Sequence, residues 1–159
     1  MGLSKFKWLD VSAVPNRERR VRQYQGKISE PLLDRIDLHI EVPSVKYRAL
    51  ANKELGESSS TIKERVNKAR DRQTKRFGGN GIFCNARMTE KQIRTYCSID
   101  EESQRLLEMA IEKLGLSARA LNRILKVSRT IADLENKEAI ESAHIAEAIQ
   151  YRSLDRSLI

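Results

Sequence analysis

The sequence predicts a mainly α protein, a bundle of four or five short-looped helices preceded by one short strand and a basic arm. Three observations lead there. From Thr61 to the end, apolar residues recur every three or four positions, the period of a helix with one buried face. Each such run is bracketed by residues that start or stop helices. Only DLHIEV, residues 37–42, alternates apolar and polar side chains at the two-residue period of a half-buried strand.

The elements follow in order. Residues 1–27 carry scattered apolar residues and the cluster Arg17, Arg19, Arg20 and Arg22 without a sustained period, and read as a loosely ordered basic arm. Pro31 opens a helical turn over PLLDR, since its fixed φ suits a first helical position and its missing N–H costs nothing there. The strand follows, with Leu38, Ile40 and Val42 set against His39 and Glu41. A polar linker then runs to GESSS, completing a segment 28–57 that precedes a helical domain over 58–159.

Within that domain Thr61 and Glu64 form a capping-box pair. Ile62, Val66, Ala69 and Phe77 make one face of a helix that stops at the glycines after Phe77. Thr89 with Gln92 repeats the box for a short helix to about Cys97. Asp100 opens another, striped by Leu106, Leu107, Ala110, Ile111 and Leu114 and ended by Gly115. Ser117 caps the longest, whose stripe is Leu121, Ile124, Leu125, Ser128, Ile131, Ala132 and Leu134. A last helix begins near Ser142. None of these buries its stripe alone, so they must pack together.

Thirty Lys and Arg against 22 Asp and Glu leave a formal charge of +8, which favours a polyanionic partner, nucleic acid or phosphate. Cys84 and Cys97 lack the spacing and companions of a zinc knuckle or disulfide framework and suit a reducing cytoplasm; no metal site is expected. No apolar run is long enough for a membrane span or a secretion signal, so a soluble cytoplasmic protein is expected. The chain has no Gly-x-x-x-x-Gly-Lys-Ser/Thr loop to wrap phosphates and no Ser/His/Asp or Cys/His set at a useful spacing. These residues alone are expected to catalyse nothing and to bind no nucleotide tightly.

Two segments are more specific. KISEPLLDRIDLHIEV (residues 27–42) resembles the stretch of magnesium-chelatase-like AAA+ proteins of the ComM/YifB type in which a short helix delivers an arginine finger before a strand. LSARALNRILKVSRTIADLE (116–135) with HIAEAIQYRSLDR (144–156) resembles the helical lid of that family, including its sensor-2 helix. The matching parts cover most of the chain from about Tyr24.

The resemblance implies that residues 28–57 belong to an ATPase core and 58–159 to its lid. Arg35 then occupies the finger position, reaching the γ-phosphate held by a neighbouring subunit, and Arg119 the sensor-2 position, with Arg123 a weaker candidate one turn on. A planar, always-charged guanidinium suits the charge that spreads over a transferring phosphoryl group. The implied cofactors are ATP and Mg, the implied assembly a homo-oligomeric ring, a hexamer by resemblance. The implied task is DNA remodelling or branch migration.

Ordinary readings stand beside these. Arg35 lies between Asp34 and Asp37, where a surface ion pair is the common outcome. Arg119 is a cation in the first turn of a helix, disfavoured by the macrodipole, as a residue kept for function would be. Lys68, Arg72, Lys75 and Arg76 could follow a DNA backbone, although a solvated basic face is commoner and no aromatic side chain stands ready to stack on bases. The competing functions are a non-enzymatic basic helical module that docks on DNA or on an ATPase partner, a subunit of a true magnesium chelatase, or a purely structural oligomerisation domain.

Overall fold

The computed structural model describes residues 32, 35–40, 42, 56–79 and 81–152. The expected arm over 1–27, the proline that opens PLLDR and most of the linker lie outside them. The chain divides into two compact units, Met1–Arg35 and Ile36–Ile159.

Among its described residues the second unit has five α-helices, α1 (Ser59–Phe77), α2 (Glu90–Tyr96), α3 (Glu101–Leu114), α4 (Ala118–Leu134) and α5 (Ser142–Gln150), with a 3-10 turn at Asn85–Arg87. The mainly helical expectation is met. α4 is central, packing on α1, the 3-10 turn, α2 and α5, while α3 packs on α5. Ile124, Ala132, Ile145 and Ala148 are almost wholly shielded from solvent, and Phe77, Met88, Ile93, Leu107 and Ile140 close the core around them. A single parallel bridge between Ile99 and Ile140 ties the start of α3 to the loop before α5.

Helix ends follow the local chemistry. Thr89 and Gln92 form the reciprocal box that opens α2, Asp100 caps α3 through the Ser103 amide, and Ser117 caps α4 through the Ala120 amide. Gly78 (φ 55°) and Gly115 (φ 61°) end α1 and α3 in the left-handed conformation that a Cβ disfavours. α4 ends on Asn136 (φ 62°), with the Lys137 amide reaching back to Ala132 C=O and the Asn136 amide to Asp133 C=O, the paired bonds of a Schellman motif.

Three expectations are corrected. α1 begins before Thr61: Ser58 is its cap, accepting from the Thr61 amide, because the serine run supplies a hydroxyl one turn upstream. Ile62 and Val66 are exposed, since the stripe meets the bundle only from Ala69 onward and the first turns of α1 project past it. Finally, among the described residues there is no strand. The His39 N–H donates to Tyr151 C=O of the bundle at 2.7 Å, and among the described residues no neighbouring strand supplies a ladder. The alternation is present but reversed toward the helices, with His39 buried and Leu38, Ile40 and Val42 exposed.

Candidate functional site

The arginines singled out in the sequence stand in different surroundings. Arg35 is exposed in a turn whose N–H donates to Leu32 C=O at 3.0 Å. Arg119 is exposed in the first turn of α4, beyond the Ser117 cap, and no acidic residue shares that turn. The preceding Gly115, left-handed, lets the chain reverse from α3 so that α4 starts at the surface. An exposed guanidinium at a helix start, where the macrodipole favours anions, is chemically suited to phosphate oxygens. Arg123, one turn further, is half-buried and forms an ion pair with Asp37, 86 positions away in the chain.

The basic residues of α1 divide by helical phase. Lys68 and Lys75 are exposed, Lys68 pairing with Glu64 at 2.7 Å, and Lys75 lies in the last turn, where a cation is favoured by the helix dipole. Arg72 and Arg76 instead turn toward the end of α4. Arg72 donates to Asn136 Oδ1 at 2.5 Å and to Lys137 C=O at 3.2 Å.

Arg76 enters a polar network in the core that sequence reasoning missed. Its two terminal nitrogens fork onto the carboxylate of Asp133, Nη1 to Oδ2 at 2.7 Å, and Nη1 also donates to Asn85 Oδ1 at 2.9 Å. Asn85 Nδ2 donates to Asp133 Oδ2 at 2.8 Å and to Thr130 Oγ1 at 3.1 Å, while the Asn85 amide donates to Gln73 Oε1 at 3.2 Å. Arg129 adds a second cation, 3.1 Å from Asp133 Oδ1, and donates to the carbonyls of Glu138 and Lys137 at 2.6 and 2.7 Å. The only signal in the sequence was a charged pair four positions apart inside the apolar stripe of α4.

Burial pushes Asp133 toward its protonated form. Hydrogen bonds from Arg76 and Asn85 and the charges of Arg129 and Arg76 outweigh that and hold its carboxyl below the usual range. Burial likewise lowers Arg129, with Asp133 opposing. Next to this network Cys97 is packed among Phe77, Met88 and Ile93, and burial raises its thiol to about 11, so it is a neutral core residue at physiological pH.

The histidines are built into the fold. His144 Nδ1 accepts from the Glu141 amide at 2.8 Å, and its Nε2 lies 3.1 Å from Glu135 Oε2. No cluster of three His, Cys, Asp or Glu side chains suited to a metal ion occurs among the described residues. No helix there is long and apolar enough to cross a membrane. Arg152, which no sequence signal marked, is buried at 1% exposure, and its Nη1 donates to Ile36 C=O at 2.5 Å.

A helical domain of this order, with an arginine-bearing turn and extended segment ahead of it, defines a class that sequence comparison names. Residues 56–152 match the family described as magnesium chelatase, subunit ChlI C-terminal, and residues 9–50 match magnesium chelatase, subunit ChlI. The chain therefore belongs to the magnesium chelatase ChlI family and corresponds to its C-terminal portion. Within it the chain is similar to competence protein ComM of Haemophilus influenzae, at 43% identity over 88% of this chain and 27% of the relative. It is 42% identical to the Escherichia coli protein YifB over 86% of this chain and 26% of YifB. A Mycobacterium tuberculosis relative is 30% identical over 82% and 26% respectively. The chain thus spans about a quarter of the length of the curated relatives it matches.

Proposed function

We propose that this chain is the nucleotide-sensing lid and arginine-finger segment of a ring-forming AAA+ ATPase that remodels DNA. In this reading the phosphate-binding loop lies outside these 159 residues. ATP and Mg bind in the assembled, hexameric ring in the cytoplasm. Arg35 reaches the γ-phosphate held by a neighbouring subunit, and Arg119 contacts the phosphates in its own.

The observation that carries the reading is the placement of Arg119. It stands exposed in the first turn of the helix around which the whole bundle is packed, so a phosphate that draws on its guanidinium pulls on the element that organises the domain. The exposed turn at Arg35 and membership of the ChlI family support the same reading. Similarity to a protein named for competence, together with the +8 charge, favours DNA over a porphyrin as the target. Lys68 and Lys75 are the residues of α1 best presented to a phosphate backbone.

The test is ATP turnover by the ring that contains this chain, with and without branched DNA, in the parent, Arg35→Ala and Arg119→Ala. Both variants are expected to lose turnover, and Arg35→Ala to regain it when mixed with a subunit that lacks only its phosphate-binding loop. Full turnover in both variants sinks the proposal and leaves a non-catalytic binding module.

A further inference from the structure

Three consecutive contacts fasten the segment after Arg35 to the helical bundle. Ile36 C=O accepts from the buried guanidinium of Arg152, the Asp37 carboxylate pairs with Arg123 on α4, and the His39 amide donates to Tyr151 C=O at 2.7 Å with its side chain buried. Their partners sit 86 to 116 positions away, on α4 and just past the end of α5. Burying a guanidinium is unfavourable unless its donors are satisfied, so Arg152 at 1% exposure is an expensive way to hold a main-chain carbonyl. The segment also docks by its polar side, leaving Leu38 and Ile40 exposed. Hydrophobic burial therefore does not fix it, and the polar contacts do.

We infer that Arg123 and Arg152 are positioning residues that clamp residues 36–39 to the lid and so link Arg119 to Arg35. This rests on the reading of Arg35 as the finger and Arg119 as the sensor. Arg119 and Arg123 are four residues apart on α4, on the same side of the helix with Cβ atoms about 6 Å apart. A displacement of the start of α4 by bound phosphate is carried by Arg123 to Asp37, two residues beyond Arg35 in the chain. Arg123 then serves the finger through Asp37 rather than touching nucleotide.

The experiment is a charge swap, chosen because Arg152→Ala removes a buried cation and risks the fold. Parent, Arg123→Glu, Asp37→Arg and the double variant are compared for turnover in the assembled ring and for hydrogen exchange at the His39 amide. Each single variant is expected to speed that exchange about fivefold. Each should also lower kcat about tenfold with KM for ATP unchanged, because misplacing a catalytic group affects the transition state more than binding. The double variant should recover both. Exchange unaltered in the single variants means there is no clamp. Faster exchange with normal turnover means a clamp that does not serve the finger. A raised KM for ATP in Arg123→Glu that the swap does not repair means Arg123 binds nucleotide. Each of those results overturns the inference, whereas a parent ring without ATPase activity overturns the underlying reading and takes the link to Arg35 with it.

Discussion

Asp133 holds three elements of the fold together. It lies buried in the last turn of α4 and accepts from Arg76 on α1, Asn85 on the 3-10 turn and Arg129 on its own helix, so three elements meet on one carboxylate. Replacing it with Asn leaves two cations without their counter-ion and should destabilise the chain by about 3 kcal/mol in denaturant melts. The acid limb follows from the direction of its titration. Its folded pKa is depressed, so its contribution is complete above the unfolded carboxyl value of about 4 and fades as pH falls through the folded value. Acid unfolding curves of the parent should steepen there, and those of Asp133→Asn should lack that component. Cys97 offers an independent check. With its thiol raised to about 11 in the core, it should resist alkylation at pH 8 in the native state and react once the chain is unfolded.

The helices owe their limits to a few end residues and their stability to α4. Gly78 has open space where a Cβ would stand, so the whole cost of Gly78→Ala comes from its φ of 55°. A loss of about 1 kcal/mol is expected, with no change in the unfolding slope that reports buried area. The same substitution at Gly56, which has neither positive φ nor a close neighbour, should be close to neutral and serves as the control. α1 itself has two halves with different duties. From Ala69 to Phe77 it is a core helix tied to α4 by Arg72 and Arg76, while before Ala69 it is exposed on every side. Amide exchange should be slow from Ala69 to Phe77 and fast before Ala69.

At the scale of the molecule, the positive charge of the described residues separates into cations that hold the fold together and cations that face outward. Arg76, Arg129 and Arg152 are shielded and engaged with Asp133 or with main-chain carbonyls, whereas Lys68 and Lys75 face solvent. If α1 tracks a nucleic-acid backbone, Lys75→Ala should weaken binding to duplexes of any sequence and reduce the slope of log K against log salt by about one. An unchanged slope would remove α1 from the DNA surface. Arg76→Ala would confuse that experiment, since it strips Asp133 of its fork, and stability must be measured before any loss of binding by that variant is interpreted.

The sequence by itself determined the helical class, the order of α1 to α5 and most of their ends, because those depend on near neighbours: a three-to-four-residue apolar period, a hydroxyl or carboxylate at an N-cap, a glycine at a left-handed stop. Family membership was legible too, since LDR and SAR lie in long ordered motifs. Tertiary structure alone decided which side of residues 37–40 faces the bundle, how far along α1 the core extends, and which arginines are occupied. Alternation states that a segment has two faces, but the partner determines which is buried, and here Arg123 and Arg152 draw the polar face inward. Arg72 and Arg76 look alike in sequence to Lys68 and Lys75. They differ only because helical phase turns the arginines toward Asn136 and Asp133, more than fifty residues away, and pairing at that separation leaves no mark in a local pattern.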